Sequence, residues 1–237
     1  MMAAMAPATS RSSGGRSRPP GNEVCRAPLT VPELEPVELD GLADHHGWSE
    51  VAATGSAIAA DAEGVSFARS TITGVRFTGA QLHRLDLADV TVANCDFAGA
   101  TLSEASFTRV AFVSCRLEGA DLGGASLVDV RFTDCQMDEL GLRLARTERL
   151  AVTGGSAVNI DLYRAWVRAS RWHDVDLTGA QLSGAEMERA RLHGSTIAEV
   201  RGGRALKGTV ISPDQELAVG RALLADFGIA VEPDDRR

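Results

Sequence analysis

Residues 95–124 read CDFAGATLSEASFTRVAFVSCRLEGADLGG, and a large hydrophobic residue recurs there at every fifth position. The recurring residues are Phe97, Leu102, Phe107, Phe112, Leu117 and Leu122. A helix spaces its hydrophobic residues by three and four and a flat strand spaces them by two, so neither period fits. A period of five predicts short extended segments separated by corners, with one large and one small side chain of each segment directed inward.

The same phase continues far beyond this stretch. From Phe67 to Ile197 it covers 27 positions, of which Thr147 alone is not hydrophobic. A second column of small side chains precedes each large residue by two positions, as at Ala120, Val130 and Cys135. Only 44% of the chain is hydrophobic, so chance does not place hydrophobic residues at 26 of 27 such positions. Residues 65–200 are therefore predicted to form one repeat array.

Several five-residue units carry a more specific signature. Residues 95–99 (CDFAG), 120–124 (ADLGG) and 175–179 (VDLTG) share a small residue, Asp, a large hydrophobic residue, a variable residue and Gly. Over residues 65–199 the chain resembles the pentapeptide-repeat family. The resemblance implies an all-β fold, a right-handed quadrilateral parallel β-helix in which four units make one coil.

A period of twenty residues supports closure by four units independently of the resemblance. Every fourth central position is leucine, at Leu82, Leu102, Leu122, Leu142, Leu162 and Leu182. Three cysteines, Cys95, Cys115 and Cys135, also recur at this spacing. Stacked coils lie about 4.8 Å apart, so just under seven coils predict a rod of roughly 32 Å.

The flanking segments have a different composition. Residues 1–28 are rich in Ser, Gly, Pro and Arg and are predicted to be a disordered tail, with no hydrophobic region suited to export. Residues 29–64, with Leu42 and Trp48 as large hydrophobic residues, are predicted to be an irregular N-terminal cap. Residues 201–237 are predicted to be a C-terminal cap with a helix at about 213–227.

The predicted C-terminal helix has a clear start signal and an apolar stripe. Ser212, Pro213 and Gln215 form the pattern of a capping box with proline at the first helical position. The stripe consists of Leu217, Leu223, Leu224 and Phe227. The family resemblance implies that such a helix mediates homodimerisation. The alternative is that the stripe packs onto the last coil of its own chain, and the sequence leaves both open.

The sequence contains no strong catalytic or metal-binding pattern. The three cysteines spaced by twenty are expected to be buried, reduced thiols in the interior. His173 and His193 are expected to lie on one outer face without a carboxylate arrangement suited to a metal. A regular solenoid also lacks the concave pocket that catalysis requires. The sequence predicts a cytoplasmic, non-catalytic protein without cofactor or metal.

The net charge and its distribution along the chain restrict the kinds of partner that the protein can bind. The chain has a net charge of -8, which disfavours direct binding to nucleic acid or to an anionic membrane, and no apolar run is long enough to span a bilayer. The middle of the array is acidic, whereas residues 140–200 hold seven acids and eight arginines. The candidate interaction residues are the acids Asp86, Asp89, Asp96, Glu118, Asp121, Asp129, Asp134, Asp138 and Glu139.

Two functions follow from different readings of this pattern. The first is a rigid scaffold that presents its outer faces to a protein partner. The second comes from the resemblance, which implies that some family members mimic DNA, bind DNA gyrase and protect it against quinolones or toxins. One continuous acidic stripe on the rod would favour mimicry, and patches of both signs would favour the scaffold.

Overall fold

The chain winds into a right-handed quadrilateral parallel β-helix of about 9 turns, followed by a single C-terminal helix. The structure is a computed structural model and describes residues 24–58 and 60–231. Its strands are β1 (Glu35–Leu39), β2 (Gly47–Ser49), β3 (Val51–Gly55), β4 (Asp61–Glu63), β5 (Ser66–Ala68), β6 (Thr71–Thr73), β7 (Gln81–His83), β8 (Asp86–Ala93), β9 (Ser106–Val113), β10 (Ser126–Thr133), β11 (Arg146–Glu148), β12 (Ala151–Thr153), β13 (Trp166–Arg168), β14 (Arg171–His173), β15 (Glu186–Glu188), β16 (Arg191–His193) and β17 (Val210–Ile211).

Successive coils pair in parallel with a register of twenty residues. In the pairing of β9 with β10, for example, Phe107 lies beside Leu127 and Phe112 beside Phe132. Each coil thereby satisfies the backbone groups of the next, as expected for a solenoid. The predicted fold class is confirmed.

The corners of the square have one conformation throughout. Every fifth residue from Gly64 to Glu199 has a positive φ, whether or not it is glycine. Asp129 and Arg149, both at φ 58°, are two of the non-glycine examples. The left-handed backbone conformation costs an L-amino acid roughly 1–2 kcal/mol, so the hydrogen bonds between coils must stabilise these corners.

The interior contains both predicted columns. All 27 central positions from Phe67 to Ile197 are buried, including Thr147. Aromatic rings stack along the axis at the coil spacing, with centroids 4.8 Å apart for Phe77 and Phe97 and 4.9 Å apart for Phe112 and Phe132. The core is therefore a set of parallel stacks of like side chains.

The N-terminal region differs from the predicted irregular cap. Residues 29–64 contain β1 to β4, and these strands pair with later coils, so they are part of the β-helix. The register there is shorter: Trp48 pairs with Phe67, 19 residues later, and its ring stacks on that of Phe67 at 4.7 Å. Because β1 to β3 pair with strands 16 or 19 residues later, the five-residue phase is lost there and the sequence pattern does not reveal them, whereas β4 pairs with β7 at twenty.

Residues 24–34, the N-terminal strap, lie along the outside of the rod. The Cys25 side chain is buried, and its Sγ donates to the Val130 carbonyl at 3.5 Å. The backbone N–H of Leu29 donates to Asp89 Oδ1 at 3.1 Å, two coils earlier than Val130. The structure thus differs from the predicted tail at residues 24–28, which are anchored by buried acceptors; residues 1–23 of that prediction lie outside the described residues.

The C-terminal end closes the last coil. After β17, a 3₁₀ turn at Pro213–Gln215 leads into α1 (Glu216–Asp226), and the Ser212 N–H donates to Gln215 Oε1 at 2.8 Å in the expected capping box. The helix packs on a second 3₁₀ turn, Gly203–Leu206, through the buried Ala222. Within the described residues, no helix is long and apolar enough to cross a membrane.

Candidate functional site

The square section gives the rod four outer faces, each named by its central residues. Face 1 is centred on Phe67 and every twentieth residue after it, face 2 on Ile72, face 3 on Phe77 and face 4 on Leu82. Within each five-residue unit, the residues before and after the centre point outward. A candidate interaction surface is therefore a column of residues spaced by twenty on one face.

Face 3 has an excess of negative charge along its length. Over its outward positions and the corner residue that follows each unit, its carboxylates outnumber its guanidinium groups three to one: Asp96, Glu118, Asp138 and Asp176, with Glu139 and Glu199 at the corner between faces 3 and 4, against Arg76 and Arg116. Arg76, Asp96 and Arg116 follow one another in a column of β-bridges. Arg116 pairs with Glu118 at 2.6 Å and with Asp96 at 3.7 Å. We call face 3 the acidic face.

The nine acids named as candidates do not form one stripe. Asp96, Glu118 and Asp138 lie on face 3, and Glu139 lies at the corner between faces 3 and 4. Asp134 lies at the corner between faces 2 and 3, Asp121 on face 4 and Asp86 on face 1. Asp89 and Asp129 lie in the corner between faces 1 and 2. Because the coil winds, acids that are close in sequence are distributed around the rod. Four of the nine share the acidic face.

Two of the nine acids, Asp89 and Asp129, are buried. Arg109 donates to both carboxylate oxygens of Asp89, and Arg149 donates to both oxygens of Asp129. The Asp129 side chain has no exposed surface, so a partner cannot touch it. Both acids hold adjacent coils together instead of presenting charge. The signal that could have found them is the alternation of Arg and Asp every twenty residues at the corner position.

The ionisation of these two carboxyl groups follows from their partners. Burial by itself would raise the pKa of Asp129, but the hydrogen bonds from Arg149 and Arg26 outweigh burial and hold the pKa well below its usual range. The hydrogen bond from Arg109 lowers the pKa of Asp89 in the same way. Both groups are therefore charged at neutral pH and act as fixed acceptors.

The cysteines lie in the interior as expected. All four, Cys25, Cys95, Cys115 and Cys135, are free thiols and buried. The neighbouring thiol of Cys115, together with burial, raises the pKa of Cys95 and of Cys135, so these two remain protonated. Across residues 24–58 and 60–231, no group of three or more His, Cys, Asp or Glu side chains is arranged to hold a metal ion.

The apolar stripe of α1 is divided between two environments. Ala218 and Val219 pack against the core and Ala222 is buried, so one side of the helix folds onto its own last coil. Leu217 and Phe227 point away from it, 67% and 63% exposed, whereas Leu223 and Leu224 are half-buried. Capping by the helix thus leaves two large apolar side chains in solvent.

Comparison with known families agrees with this geometry. A β-solenoid built from five-residue units, with a left-handed backbone conformation at each corner residue, defines this class of protein. Residues 85–156 match the family model described as a pentapeptide repeat region, and residues 158–197 match the model described as pentapeptide repeats (8 copies). These two ranges of the chain are thus pentapeptide repeats. No curated protein matches it.

Solved structures of other pentapeptide-repeat proteins resemble the chain at low identity. Full-length QnrB1, described as a plasmid-mediated fluoroquinolone resistance protein, is 16% identical, with 79% of this chain and 99% of that chain covered and a TM-score of 0.47. HetL, from the cyanobacterium Nostoc and involved in the regulation of heterocyst differentiation, is 17% identical, with coverages of 70% and 87% and a TM-score of 0.25. Rfr23, from the cyanobacterium Cyanothece, is 14% identical, with coverages of 59% and 88% and a TM-score of 0.19.

Proposed function

We propose that this protein is a non-catalytic, rigid scaffold that binds a protein partner through the acidic face. The observation that carries the proposal is the segregation of carboxylates onto face 3 of an otherwise mixed-charge rod. Charged surfaces of one sign steer association and select partners of the opposite sign. The expected partner surface is therefore basic.

Rigidity supports a scaffold over an enzyme. The coils are joined by in-register hydrogen bonds over the whole array, and the interior is filled: the void lined by Leu162, Trp172 and Leu182 measures about 10 Å³. A void of that size holds about one water molecule and no substrate. We also propose a cytoplasmic location, because the four cysteines are free thiols and the cytoplasm is reducing.

A second candidate function is a DNA-mimicking ligand of DNA gyrase that protects against quinolones or gyrase-targeting toxins. The observation in its favour is that the acidic face continues from Asp96 to Glu199 along the β-helix. Charge density weighs against it. The face spans six coil spacings, about 29 Å, over which duplex DNA carries roughly 17 negative charges. The excess of carboxylates on face 3 is several-fold smaller, so the scaffold is preferred.

A charge-reversal pair tests the scaffold. Tagged full-length protein is used to capture partners from its own cells, in parallel with Glu118→Lys/Glu139→Lys on the acidic face and Asp86→Lys/Glu186→Lys on face 1, which changes the net charge equally. The expected result is a partner retained by the parent and the face 1 variant and lost by the acidic-face variant. Equal retention by all three proteins, or no partner at all, would overturn the proposal.

A supercoiling assay separates the two candidates. Purified gyrase is incubated with relaxed plasmid, with and without a quinolone, and the parent protein is added at micromolar concentration. The DNA mimic predicts inhibition of supercoiling or fewer quinolone-stabilised breaks, and Glu118→Lys/Glu139→Lys should abolish the effect. No change in either readout would remove the second candidate.

We also propose that two copies associate through the outward side of α1. Leu217 and Phe227 are large apolar side chains more than 60% exposed, and they lie on one terminal cap. They are ten residues apart, and the Arg204 guanidinium lies 4.6 Å from the Phe227 ring centroid, so a second copy would bury them as two separate anchors. The pairing of two caps would place the two rods end to end with their acidic faces free.

A further inference from the structure

Face 2 carries a groove that a bare solenoid would not have. Its volume is about 530 Å³, and one wall is the N-terminal strap, through Val24 and Cys25. The other lining residues come from β10, β12, β14 and β16, and their arginines and histidines are Arg131, Arg171, Arg191, His173 and His193. The strap therefore converts a flat sheet face into a concave, donor-rich site.

The arginine and histidine side chains of the groove are stacked in register. Arg171 lies beside Arg191 and His173 beside His193 on the adjacent strands β14 and β16. Like charges directly opposite each other on neighbouring strands destabilise a sheet. The two arginines thus form a local concentration of positive charge within a chain whose net charge is -8. An anion lying across both strands would offset their repulsion.

Existing contacts account for part of this charge. The Arg131 guanidinium donates to the Cys25 carbonyl, which fixes the strap, and His173 Nδ1 lies 2.9 Å from Asp174 Oδ2. Arg171 also makes a polar or electrostatic contact within the chain.

We propose that this groove binds an extended acidic segment of a partner protein, an inference that rests on the scaffold function and adds a second surface to it. Arg131 and Arg191 are separated by three coil spacings, about 14 Å, which an extended peptide covers with about four residues. Carboxylates accept bidentate hydrogen bonds from guanidinium groups, and Thr133 and Thr153 supply hydroxyl donors beside them. Charge and length therefore both match an acidic peptide.

The groove suits a peptide better than a nucleic acid. Single-stranded nucleic acids gain much of their affinity from bases stacked on exposed aromatic rings. The Trp172 ring is 2% exposed, and its Nε1 donates to Ser170 inside the coil, so the exposed rings of the groove are the imidazoles of His173 and His193. The net charge of -8 disfavours a nucleic acid, whereas the carboxylates of a short peptide need only the guanidinium and hydroxyl donors of the groove.

The test is fluorescence polarisation with the full-length protein and a fluorescein-labelled peptide of eight aspartates. The variant Arg171→Ala/Arg191→Ala removes two charges from the groove. The matched control, Arg76→Ala/Arg201→Ala, removes two exposed arginines from the same position of the five-residue unit on faces 3 and 4. The expected result is at least a tenfold loss of affinity in the groove variant and less than a twofold change in the control.

Several outcomes would overturn the proposal. These are an equal loss in both variants, the absence of peptide binding by the parent, or tighter binding of an eight-nucleotide single-stranded DNA than of the peptide. If Arg171→Ala/Arg191→Ala does not reach the parent melting temperature, Arg191→Gln alone is measured against Arg201→Gln with the same criteria.

The groove and the scaffold can fail separately. If the groove variant still captures the partner of the parent from cells while the peptide does not bind, the scaffold stands and the groove proposal is overturned. If the peptide binds in the groove but no protein partner is captured, the groove proposal stands on its own binding data and the scaffold is overturned.

Discussion

The guanidinium of Arg149 clamps the carboxylate of Asp129 one coil below it, with Nε 2.7 Å from Oδ1 and Nη2 3.0 Å from Oδ2. Arg26 of the N-terminal strap binds the same carboxylate through its backbone N–H at 3.0 Å and its Nε at 2.8 Å. One buried acid therefore joins two coils and the strap. The strap in turn forms a wall of the groove on face 2.

Removal of this acid is expected to be costly. Asp129→Ala leaves the Arg149 guanidinium without its acceptor, and breaking a buried pair typically lowers the free energy of unfolding by about 3–5 kcal/mol. Urea denaturation measures the change. Asp86→Ala, at an exposed position on face 1, should stay within about 0.5 kcal/mol of the parent. Similar losses in the two variants would show that Asp129 has no special role.

The same acid should govern stability at low pH. Its pKa in the folded protein lies below the value of about 3.9 in the unfolded chain, so its contribution is complete above that value. As the pH falls through the folded pKa, the contribution is lost. The free energy of unfolding of the parent should therefore decline below about pH 4, and Asp129→Asn should decline less steeply. Parallel pH profiles would contradict this assignment.

The inward phase of the repeat can be tested at the all-leucine column. Leu122 is fully buried, so Leu122→Asp places a carboxylate among stacked apolar side chains and should cost more than about 4 kcal/mol. Leu144, which is 60% exposed at a corner, provides a matched control. Thermal melting should show a large loss for Leu122→Asp and little change for Leu144→Asp.

Thr147 interrupts the hydrophobic column and is a local weakness. Its side chain is fully buried and its Oγ1 has no hydrogen-bond partner. Thr147→Val keeps the shape and removes the unsatisfied hydroxyl, so we expect a gain of about 1 kcal/mol and a rise in Tm of roughly 2–4 °C. Thr73→Val, at an exposed position, should leave the Tm unchanged. Amide exchange across residues 140–160 should be slower in Thr147→Val than in the parent.

The proposed dimer depends on the outward residues of α1. Light scattering coupled to size-exclusion chromatography should give twice the monomer mass of 25.0 kDa for the parent and the monomer mass for Leu217→Glu/Phe227→Glu. Because both side chains are exposed, the substitutions should leave the melting of the β-helix in a monomeric protein intact. A monomeric parent at micromolar concentration would contradict the proposal.

Much of the fold could be predicted because the repeat is local and regular. The column from Phe67 to Ile197, the corner positions and the capping box at Ser212 each follow from residue type and spacing, and the structure has all three. The coils of residues 35–55 could not be predicted in the same way. With 19 residues between Trp48 and Phe67, they fall out of phase with the later coils.

The sequence by itself determined the inside of this protein: which side chains face the axis, how many units close a coil and where the terminal helix begins. Only the tertiary structure decided its outside. Winding brings residues spaced by twenty into contact, so it separates the buried Asp129 from the exposed acids of face 3 and places Arg171 beside Arg191. It also lays the strap across β8 to β10, through contacts between residues about 60 to 105 positions apart. Burial is encoded in local periodicity, whereas surface charge depends on which distant residues the coil makes neighbours.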